Sequence, residues 1–169
     1  AFVTGGASGI GYAMAAAFAE AGMNVAIADI DEQKLGASAE ELKRLGTSVC
    51  ACVLDVTDRA AWEREARRAE QALGPVQVLC NNAGISAIGW NVDEMPPALW
   101  DQMIGINLTG VFNGSRCFIP RMKAHGAGGH IVNTASISGL RARRGHAAYI
   151  ASKHGIVGLS DALRLALAR

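Results

Sequence analysis

A glycine-rich segment near the start of the chain restricts the fold more than any other feature of the sequence. Residues 4–11, Thr-Gly-Gly-Ala-Ser-Gly-Ile-Gly, join a short apolar run to a stretch of small apolar residues with a helical pattern. Glycines there permit a tight turn and let backbone N–H groups approach a pyrophosphate, and the helix N-terminus adds positive potential. The segment therefore predicts a nucleotide-binding turn, although a glycine-rich turn by itself can also be a simple tight connection. The residues that we expect to bind the nucleotide here are Gly5, Ser8, Gly9, Ile10 and Gly11.

Strand-like and helical patterns alternate along the whole chain. Short apolar runs that predict buried strands lie at 1–4, 24–29, 48–54, 76–80 and 130–134. Helical patterns lie between them at 13–21, 32–45, 58–73 and about 107–123, and from about 146 to the end. Such alternation predicts a three-layer α/β/α domain, in which helices cover both faces of a doubly wound, Rossmann-type parallel sheet. No repeat or linker suggests a second domain, so we expect residues 1–169 to form one nucleotide-binding domain.

Three polar or glycine residues predict helix boundaries. Asp58 can cap the helix that runs from there to residue 73. Gly46 is the expected C-terminal cap of the helix over 32–45. Asn107 lies near the expected start of the helix over 107–123, where it could serve as a simple N-cap.

The two ends of the sequence predict an incomplete domain. The chain begins inside its first predicted strand, without a methionine, and stops inside a helical pattern. The predicted strands are also one fewer than the six or so that a doubly wound dinucleotide fold normally has. We therefore expect a truncated first strand, and a sixth strand that lies outside these 169 residues.

An acidic residue at the end of the second predicted strand bears on the choice of nucleotide. Asp29 lies 18 residues beyond Gly11, where a dinucleotide site places a carboxylate on the adenosine ribose. That carboxylate would repel a 2′-phosphate by about 4 kcal/mol at a separation of ~4 Å and an effective dielectric constant of ~20. Because neither Ser8 nor Ile30 supplies a compensating cation, the sequence predicts NAD rather than NADP. The alternative is that Asp29 only caps the helix that starts near Asp31, although Asp31 is the better capping candidate.

The composition argues against several other classes of protein. A net charge of +1 disfavours broad electrostatic binding of nucleic acid, and no apolar run approaches the ~20 residues that span a bilayer. The cysteines and histidines show no spacing typical of a metal site, so we expect neither a bound metal nor a disulfide. Reduced cysteines in or near the core fit a cytoplasmic protein; these are Cys50, Cys52, Cys80 and Cys117.

Three further motifs complete a pattern that is highly specific when its members occur in this order. Asn81-Asn82-Ala83-Gly84 follows the fourth predicted strand, Ser136 follows the fifth, and Tyr149-Ile150-Ala151-Ser152-Lys153 lies in the last helical pattern. Together with the glycine-rich segment at 4–11, they make the whole chain resemble the short-chain dehydrogenase/reductase family. The resemblance implies a Rossmann fold and hydride transfer between a nicotinamide cofactor and an alcohol/carbonyl pair. It also implies that a substrate loop and much of the substrate pocket lie beyond residue 169.

The resemblance implies a role for individual residues. Ser136, Tyr149 and Lys153 correspond to the family's catalytic serine, tyrosine and lysine. Asn107 corresponds to the asparagine that holds a water in the family's proton relay. Ser138 is the weaker serine candidate, because Ser136 lies 13 residues before Tyr149, which is the family spacing. On position alone, Asp55-Val56 could also be a strand-end turn. The residues beyond the glycine turn that would line the cofactor are Asp29, Ile30, Asp55, Val56, Asn82, Ala83, Gly84, Tyr149 and Lys153.

The chemistry of alcohol oxidation explains why these residue types are needed. A base must take the hydroxyl proton while the cofactor accepts the hydride, and a phenol ionises only at a pH of about 10. Lys153 lies four residues after Tyr149 and shares its helix face. An ammonium group ~4 Å from a phenolate stabilises it by about 4 kcal/mol at an effective dielectric constant of ~20. Ser136 would hold the substrate oxygen beside the phenol.

The sequence leaves alternatives at several points. A non-catalytic nucleotide-binding or oligomer-assembly protein on the same scaffold is the alternative to an enzyme, and a lone Tyr/Lys pair at helical spacing is usually an ordinary surface pair. The scaffold serves many small-molecule alcohols and carbonyls, so the substrate is not defined. Arg141, Arg143 and Arg144 could attract an acidic substrate or simply belong to a solvated loop. The resemblance also implies a homo-oligomer, either a dimer or a tetramer.

Overall fold

The computed structural model of the protein describes residues 1–167 and contains a parallel sheet of five strands. The strands are β1 (Phe2–Thr4), β2 (Val25–Asp29), β3 (Val49–Val53), β4 (Val78–Asn81) and β5 (His130–Asn133). They lie in the order β3-β2-β1-β4-β5, and every neighbouring pair is parallel. The prediction of a doubly wound parallel sheet is therefore confirmed, since the strand order reverses direction between β1 and β4.

Helices follow each strand within the described residues. They are α1 (Gly9–Glu20), α2 (Glu32–Lys43), α3 (Arg59–Leu73), α4 (Pro97–Ile104), α5 (Gly110–His125) and α6 (Ala147–Leu167). A π-helical turn, Gly105–Thr109, joins α4 directly to α5, and a short 3₁₀ turn, Ile137–Gly139, lies between β5 and α6. The long crossovers between parallel strands are thus made by helices, as the alternating sequence pattern predicts.

Successive side chains of β1–β4 point into two different cores, one on each face of the sheet, whereas His130 and Val132 of β5 are exposed. Phe2 belongs to the core under α3 and α5, where its ring centroid lies 4.9 Å from that of Phe118 and 5.9 Å from that of Trp62. Val3 and Ile27 belong to the opposite core, which is filled mainly by small and aliphatic residues of α1 and α2. Because both faces are covered, the carboxyl edge of the sheet is the place where a ligand can reach the strand ends.

The predicted N-cap at Asp58 is confirmed, and the predicted C-cap at Gly46 is wrong. Asp58 Oδ1 accepts hydrogen bonds from the backbone N–H groups of Ala60 and Ala61, which confirms that it caps α3. Helix α2 ends at Lys43 rather than at residue 45, so Gly46 lies beyond the cap and the predicted C-cap is wrong. Gly46 instead takes a left-handed conformation with φ of +86° in the turn that leads to β3.

The predicted helix start near Asn107 is wrong. Asn107 lies inside the π-helical turn of a continuous helical region, so it is not an N-cap. Its side chain is 1% exposed and bonds to distant segments instead of to the next helical turn. A tertiary contact of this kind has no signature in local sequence, and Asn107 at the head of a helical pattern therefore resembles a cap.

All four cysteines are buried with free thiols, which confirms their expected place in or near the core. No helix within residues 1–167 has both the length and the apolar character that are needed to cross a membrane.

Candidate active site

A cleft of about 670 Å³ runs along the carboxyl edge of the sheet. Its volume falls in the range typical of small-molecule and cofactor sites. Its walls come from the segments that follow β1, β2, β3, β4 and β5 and from the first turns of α6. The lining residues are Gly5, Ser8, Gly9, Ile10, Asp29, Ile30, Leu54, Asp55, Val56, Asn82, Ala83, Gly84, Ile85, Ser86, Ile106, Thr134, Ala135, Ser136, Tyr149 and Lys153. The structure thus brings together all the predicted site residues except Gly11 and Asn107, which lie behind the wall.

The glycine turn after β1 depends on backbone conformations and approaches that side chains do not allow. Gly5 has a φ of +65°, and a Cβ there would lie 3.0 Å from Asn82 Nδ2 and 3.1 Å from the Cα of Ala83. Gly11 does not line the cleft, but a Cβ on it would collide with the carbonyl oxygen of Gly5. The role of Gly11 is therefore to let α1 pack directly under the turn.

The N-terminus of α1 opens into the cleft. Ser8 precedes the helix in an extended conformation, and its side chain accepts no hydrogen bond from the first turn in the part of the chain described. That turn also contains no acidic residue, so no carboxylate of the helix itself competes for its N–H groups. Backbone donors at a helix N-terminus, with the helix dipole behind them, form a site for an anion such as a pyrophosphate.

Asp29 lines the cleft at the end of β2 and is held by two backbone donors. Its Oδ2 accepts a hydrogen bond of 3.2 Å from the N–H of Ala7, and its Oδ1 accepts one of 3.1 Å from the N–H of Asp31. The cap of α2 is Asp31, whose carboxylate accepts from the N–H of Lys34, so the capping alternative for Asp29 is wrong. Asp29 instead fixes the glycine turn against β2, and Ile30 beside it is 69% exposed.

Asp55 and Val56 follow β3 and serve in a turn as well as in the cleft wall. Asp55 Oδ1 accepts hydrogen bonds from the backbone N–H and the hydroxyl of Thr57, at 2.8 and 2.7 Å. The carbonyl oxygen of Val56 accepts from Trp62 Nε1 and from Asn113 Nδ2. Both sequence interpretations are therefore compatible, since this strand-end turn forms part of the cleft wall.

Two threonines that the sequence did not single out as site residues hold the segment after β4 in place. Thr4 Oγ1 accepts hydrogen bonds from the N–H groups of Asn82 and Ala83, at 2.9 and 3.0 Å. Thr134 Oγ1 donates to Asn82 Oδ1 at 3.1 Å. The segment after β4 is thus tied to the ends of β1 and β5. Thr4 could have been identified as a site residue from its place at the start of the glycine-rich motif. No feature of the sequence marks Thr134 in the same way.

Tyr149 and Lys153 lie on consecutive turns near the start of α6. Lys153 Nζ is 5.6 Å from the centroid of the Tyr149 ring and donates a hydrogen bond of 2.7 Å to the carbonyl oxygen of Thr134. Lys153 is only 5% exposed. Burial lowers its pKa below the ordinary value of a lysine, because the ammonium form loses solvation. The pair is therefore not an ordinary solvated surface pair.

Ser136 lies between β5 and the 3₁₀ turn, and it lines the cleft with Tyr149 and Lys153. Its Oγ accepts a hydrogen bond of 3.1 Å from the N–H of Ser138. Ser138 is 6% exposed and is not part of the cleft lining. The geometry therefore favours Ser136 over its neighbour as the serine that can meet a ligand.

Asn107 lies behind the cleft wall and bonds to it through Ile85. Asn107 Oδ1 accepts from the N–H of Ile85 at 2.8 Å, and Asn107 Nδ2 donates to the carbonyl oxygen of Ile85 at 2.9 Å. Its amide therefore fixes the segment after β4 rather than meeting a ligand directly. The arginine cluster Arg141, Arg143 and Arg144 is exposed and does not contribute to the described cleft lining, as expected for a solvated loop.

A Rossmann-type parallel sheet with a glycine turn, a strand-end carboxylate and a Ser/Tyr/Lys group in one cleft is typical of nucleotide-dependent oxidoreductases. The comparison with protein families identifies the family. The sequence model of the family described as "short chain dehydrogenase" matches residues 1–169. The chain belongs to the short-chain dehydrogenase family, and the resemblance stated above is confirmed.

Individual relatives agree with this assignment. The chain is 40% identical over 160 residues to 3beta-hydroxysteroid dehydrogenase 2 of Eggerthella lenta, covering 95% of this chain and 62% of that protein. It is 40% identical over 165 residues to 1-deoxy-11-beta-hydroxypentalenate dehydrogenase of Streptomyces exfoliatus, covering 97% and 60%. A short-chain dehydrogenase/reductase of Burkholderia phymatum, solved in complex with NAD, superposes with a TM-score of 0.95 at 37% identity, covering 98% of this chain and 59% of that chain. The chain thus spans about three fifths of the length of the curated relatives it matches.

Proposed function

We propose that the full-length protein transfers a hydride between NAD and an alcohol/carbonyl substrate, with Tyr149 as the acid/base. The observation that carries this proposal is a single cleft with a glycine turn and Asp29 at one end and Ser136, Tyr149 and Lys153 at the other. A dinucleotide has two corresponding ends. Its adenosine ribose needs an acceptor for its hydroxyl groups, and its nicotinamide exchanges hydride with a substrate whose oxygen needs a proton donor and acceptor nearby. The dehydrogenase names of the relatives support the same reaction class.

The residues of the cleft fit a dinucleotide. The uncapped N-terminus of α1 would hold the pyrophosphate, with the backbone of Ser8, Gly9 and Ile10 around it. The Asp29 carboxylate would accept hydrogen bonds from the adenosine ribose and disfavour a 2′-phosphate, which is the basis for proposing NAD over NADP. The remaining lining residues that we assign to the cofactor are Gly5, Ile30, Asp55, Val56, Asn82, Ala83, Gly84, Tyr149 and Lys153.

The proton chemistry rests on Tyr149 and its neighbours. When bound, the nicotinamide ring supplies the acceptor and donor of hydride. Tyr149 would take the substrate hydroxyl proton during oxidation and return it during reduction, and Ser136 would hold the substrate oxygen beside it. Lys153 stabilises the phenolate through its ammonium charge, which acts strongly because the group is buried.

A proton must also pass between Tyr149 and solvent. We assign to Asn107 the holding of a water in this relay, as the family resemblance implies. The supporting observation is indirect: Asn107 is buried directly behind Ile85 of the cleft wall and is linked to α6 through Ser152. No cluster of three or more His, Cys, Asp or Glu side chains that could hold a metal occurs within residues 1–167, and the proposed mechanism requires none.

The proposal also covers the oligomeric state, the cell compartment and the substrate class of the whole protein. We propose a homo-oligomer, a dimer or a tetramer, as the family resemblance implies; its subunit interface would cover exposed apolar side chains such as Phe112 on α5 and Leu165 on α6, which are 43% and 71% exposed. Four free cysteines suit the reducing cytoplasm. The substrate is proposed only as a small-molecule alcohol or carbonyl, without a role for nucleic acid or membrane.

The proposal is tested by removing one hydroxyl. The chain has two tyrosines, and Tyr12 lies outside the cleft, half-buried on α1, where its hydroxyl donates to Glu41 Oε2. In the full-length protein, Tyr149→Phe should lower kcat by about 100- to 10,000-fold in a screen of alcohols with NAD, because that is the usual contribution of a positioned proton-transfer group. NADH should still bind, as measured by its fluorescence, and Tyr12→Phe should keep full turnover. Retained turnover in Tyr149→Phe would overturn the mechanism, and NADH binding without turnover by the wild type would indicate a non-catalytic binding protein.

A further inference from the structure

The buried amide of Asn107 joins two segments of the site, and a serine completes the joint. Two of its hydrogen bonds go to the backbone of Ile85, as described above. Its Nδ2 also donates to Ser152 Oγ at 3.2 Å. The amide therefore connects the segment after β4, which lines the cofactor side of the cleft, to helix α6.

Ser152 connects that amide to the backbone of the proposed acid/base. Ser152 Oγ donates a hydrogen bond of 2.7 Å to the carbonyl oxygen of Tyr149, three residues earlier on α6. The same oxygen accepts from Asn107. Ser152 is completely buried and Asn107 is 1% exposed, so neither bond is open to bulk solvent.

We propose that Ser152 is a positioning residue, which sets the first turns of α6 against the cofactor-side wall of the cleft. Its chain of bonds runs from the backbone of Ile85 through Asn107 to the backbone of Tyr149. The proposal rests on the proposed function, because what it positions is the phenol of Tyr149. Ser152 itself does not line the cleft and touches neither cofactor nor substrate in this assignment.

The chain contains a matched control for this residue. Ser160 lies two turns further along α6, and its Oγ donates to the carbonyl oxygen of Ile156 at 2.7 Å. It also accepts a hydrogen bond of 2.9 Å from the side-chain amide of an asparagine, Asn133 of β5. Ser160 therefore makes the same two kinds of bond as Ser152, but neither reaches Tyr149 or Ile85.

The experiment compares Ser152→Ala with Ser160→Ala in the full-length protein. Ser152→Ala should lower kcat by at least about tenfold and change the KM for NAD by less than about threefold, because misplacement of a catalytic group slows chemistry more than it weakens binding. Amide hydrogen exchange at Ile85, whose N–H donates to Asn107, should become at least about tenfold faster. Ser160→Ala should change neither kcat nor the exchange at Ile85 by more than about twofold.

Two results would overturn the proposal. One is a kcat of Ser152→Ala within about twofold of that of Ser160→Ala, and the other is unchanged exchange at Ile85. If the alanine variant yields too little folded protein, Ser152→Cys keeps nearly the same volume, replaces the oxygen with a weak acceptor, and should move both readouts in the same direction.

The two readouts also separate this proposal from the proposed function. If the wild-type protein binds NADH but turns over no substrate, the dehydrogenase assignment fails. The exchange rate at Ile85 then tests by itself whether Ser152 connects α6 to Ile85 through Asn107. Faster exchange in Ser152→Ala supports the positioning role, and unchanged exchange rejects it.

Discussion

The two ends of the cleft are built from different parts of the chain. At the end that we assign to the nucleotide, backbone groups of the glycine turn and of the α1 N-terminus face the cleft, and one carboxylate, Asp29, supplements them. At the other end, the atoms to which we assign the proton chemistry belong to the side chains of Ser136, Tyr149 and Lys153, which the segment after β5 and helix α6 hold in place. The difference predicts how each end responds to mutation.

A site made of backbone is sensitive to the addition of atoms, whereas a site made of side chains is sensitive to their removal. A single methyl group at a close-packed glycine displaces the backbone donors themselves. Loss of one functional atom at the side-chain end leaves the fold intact and removes a specific chemical step. Three variants test this contrast, from the largest expected effect to the smallest.

Gly11→Ala should have the largest effect at the nucleotide end. The added Cβ collides with the carbonyl oxygen of Gly5 and lies 2.6 Å from Asn82 Nδ2, so the turn must move. We expect the Kd for NADH to rise by at least about 100-fold and the free energy of unfolding to fall by about 3 kcal/mol. Fluorescence titration and urea unfolding of the full-length protein measure the two effects.

Gly36→Ala is the control for this glycine. Gly36 lies inside α2, and a Cβ there meets nothing within 4 Å. Alanine should therefore stabilise the helix by about 1 kcal/mol and leave NADH binding unchanged. If Gly11→Ala behaved like Gly36→Ala, the close packing of α1 under the glycine turn would not matter for binding.

Asp29→Asn should have an intermediate effect, on the choice of cofactor. The substitution removes the charge but keeps an oxygen that can accept from the N–H of Ala7 or of Asp31. The preference for NAD over NADP, as the ratio of kcat/KM values, should fall by at least about tenfold because the repulsion of a 2′-phosphate is lost. Asp31→Ala, which removes the cap of α2, should cost about 1 kcal/mol of stability without changing the ratio. An unchanged ratio in Asp29→Asn would remove the basis for NAD preference.

Lys153→Met should have the smallest effect, on how stability varies with pH. Burial lowers the pKa of Lys153 in the folded protein below its ordinary value of 10.5, so the unfolded chain binds the proton more tightly. The wild-type free energy of unfolding should therefore rise, relative to that of Lys153→Met, as the pH passes from below the folded pKa to 10.5, and level off above it. Urea unfolding at a series of pH values measures this difference. A flat difference for Lys153→Met would contradict a desolvated ammonium.

The sequence predicts the nucleotide end of the cleft well because the signals there are local. Alternating apolar runs and helical patterns predict the five strands, and the spacing from Gly11 to Asp29 follows from the helix–turn–strand unit between them. Asp58 caps its helix as predicted because a cap bonds to residues two and three positions away.

The side-chain end is less predictable because its contacts are distant in sequence. The carbonyl oxygen that accepts from Lys153 belongs to Thr134, and a backbone carbonyl has no sequence signature. Asn107 lies in a π-helical turn, and its side chain bonds to Ile85, 22 residues away. Gly46 fails as a predicted cap for another reason, since a glycine needed for a left-handed turn looks the same whether it ends the helix or follows it.

The most direct test of the two-ended cleft is a crystal structure of the full-length protein with NADH. The account predicts the pyrophosphate at the N-terminus of α1, the adenosine ribose hydroxyls within hydrogen-bond distance of the Asp29 carboxylate, and the nicotinamide beside Tyr149 and Lys153. A cofactor bound in the reverse direction, or outside this cleft, would contradict it.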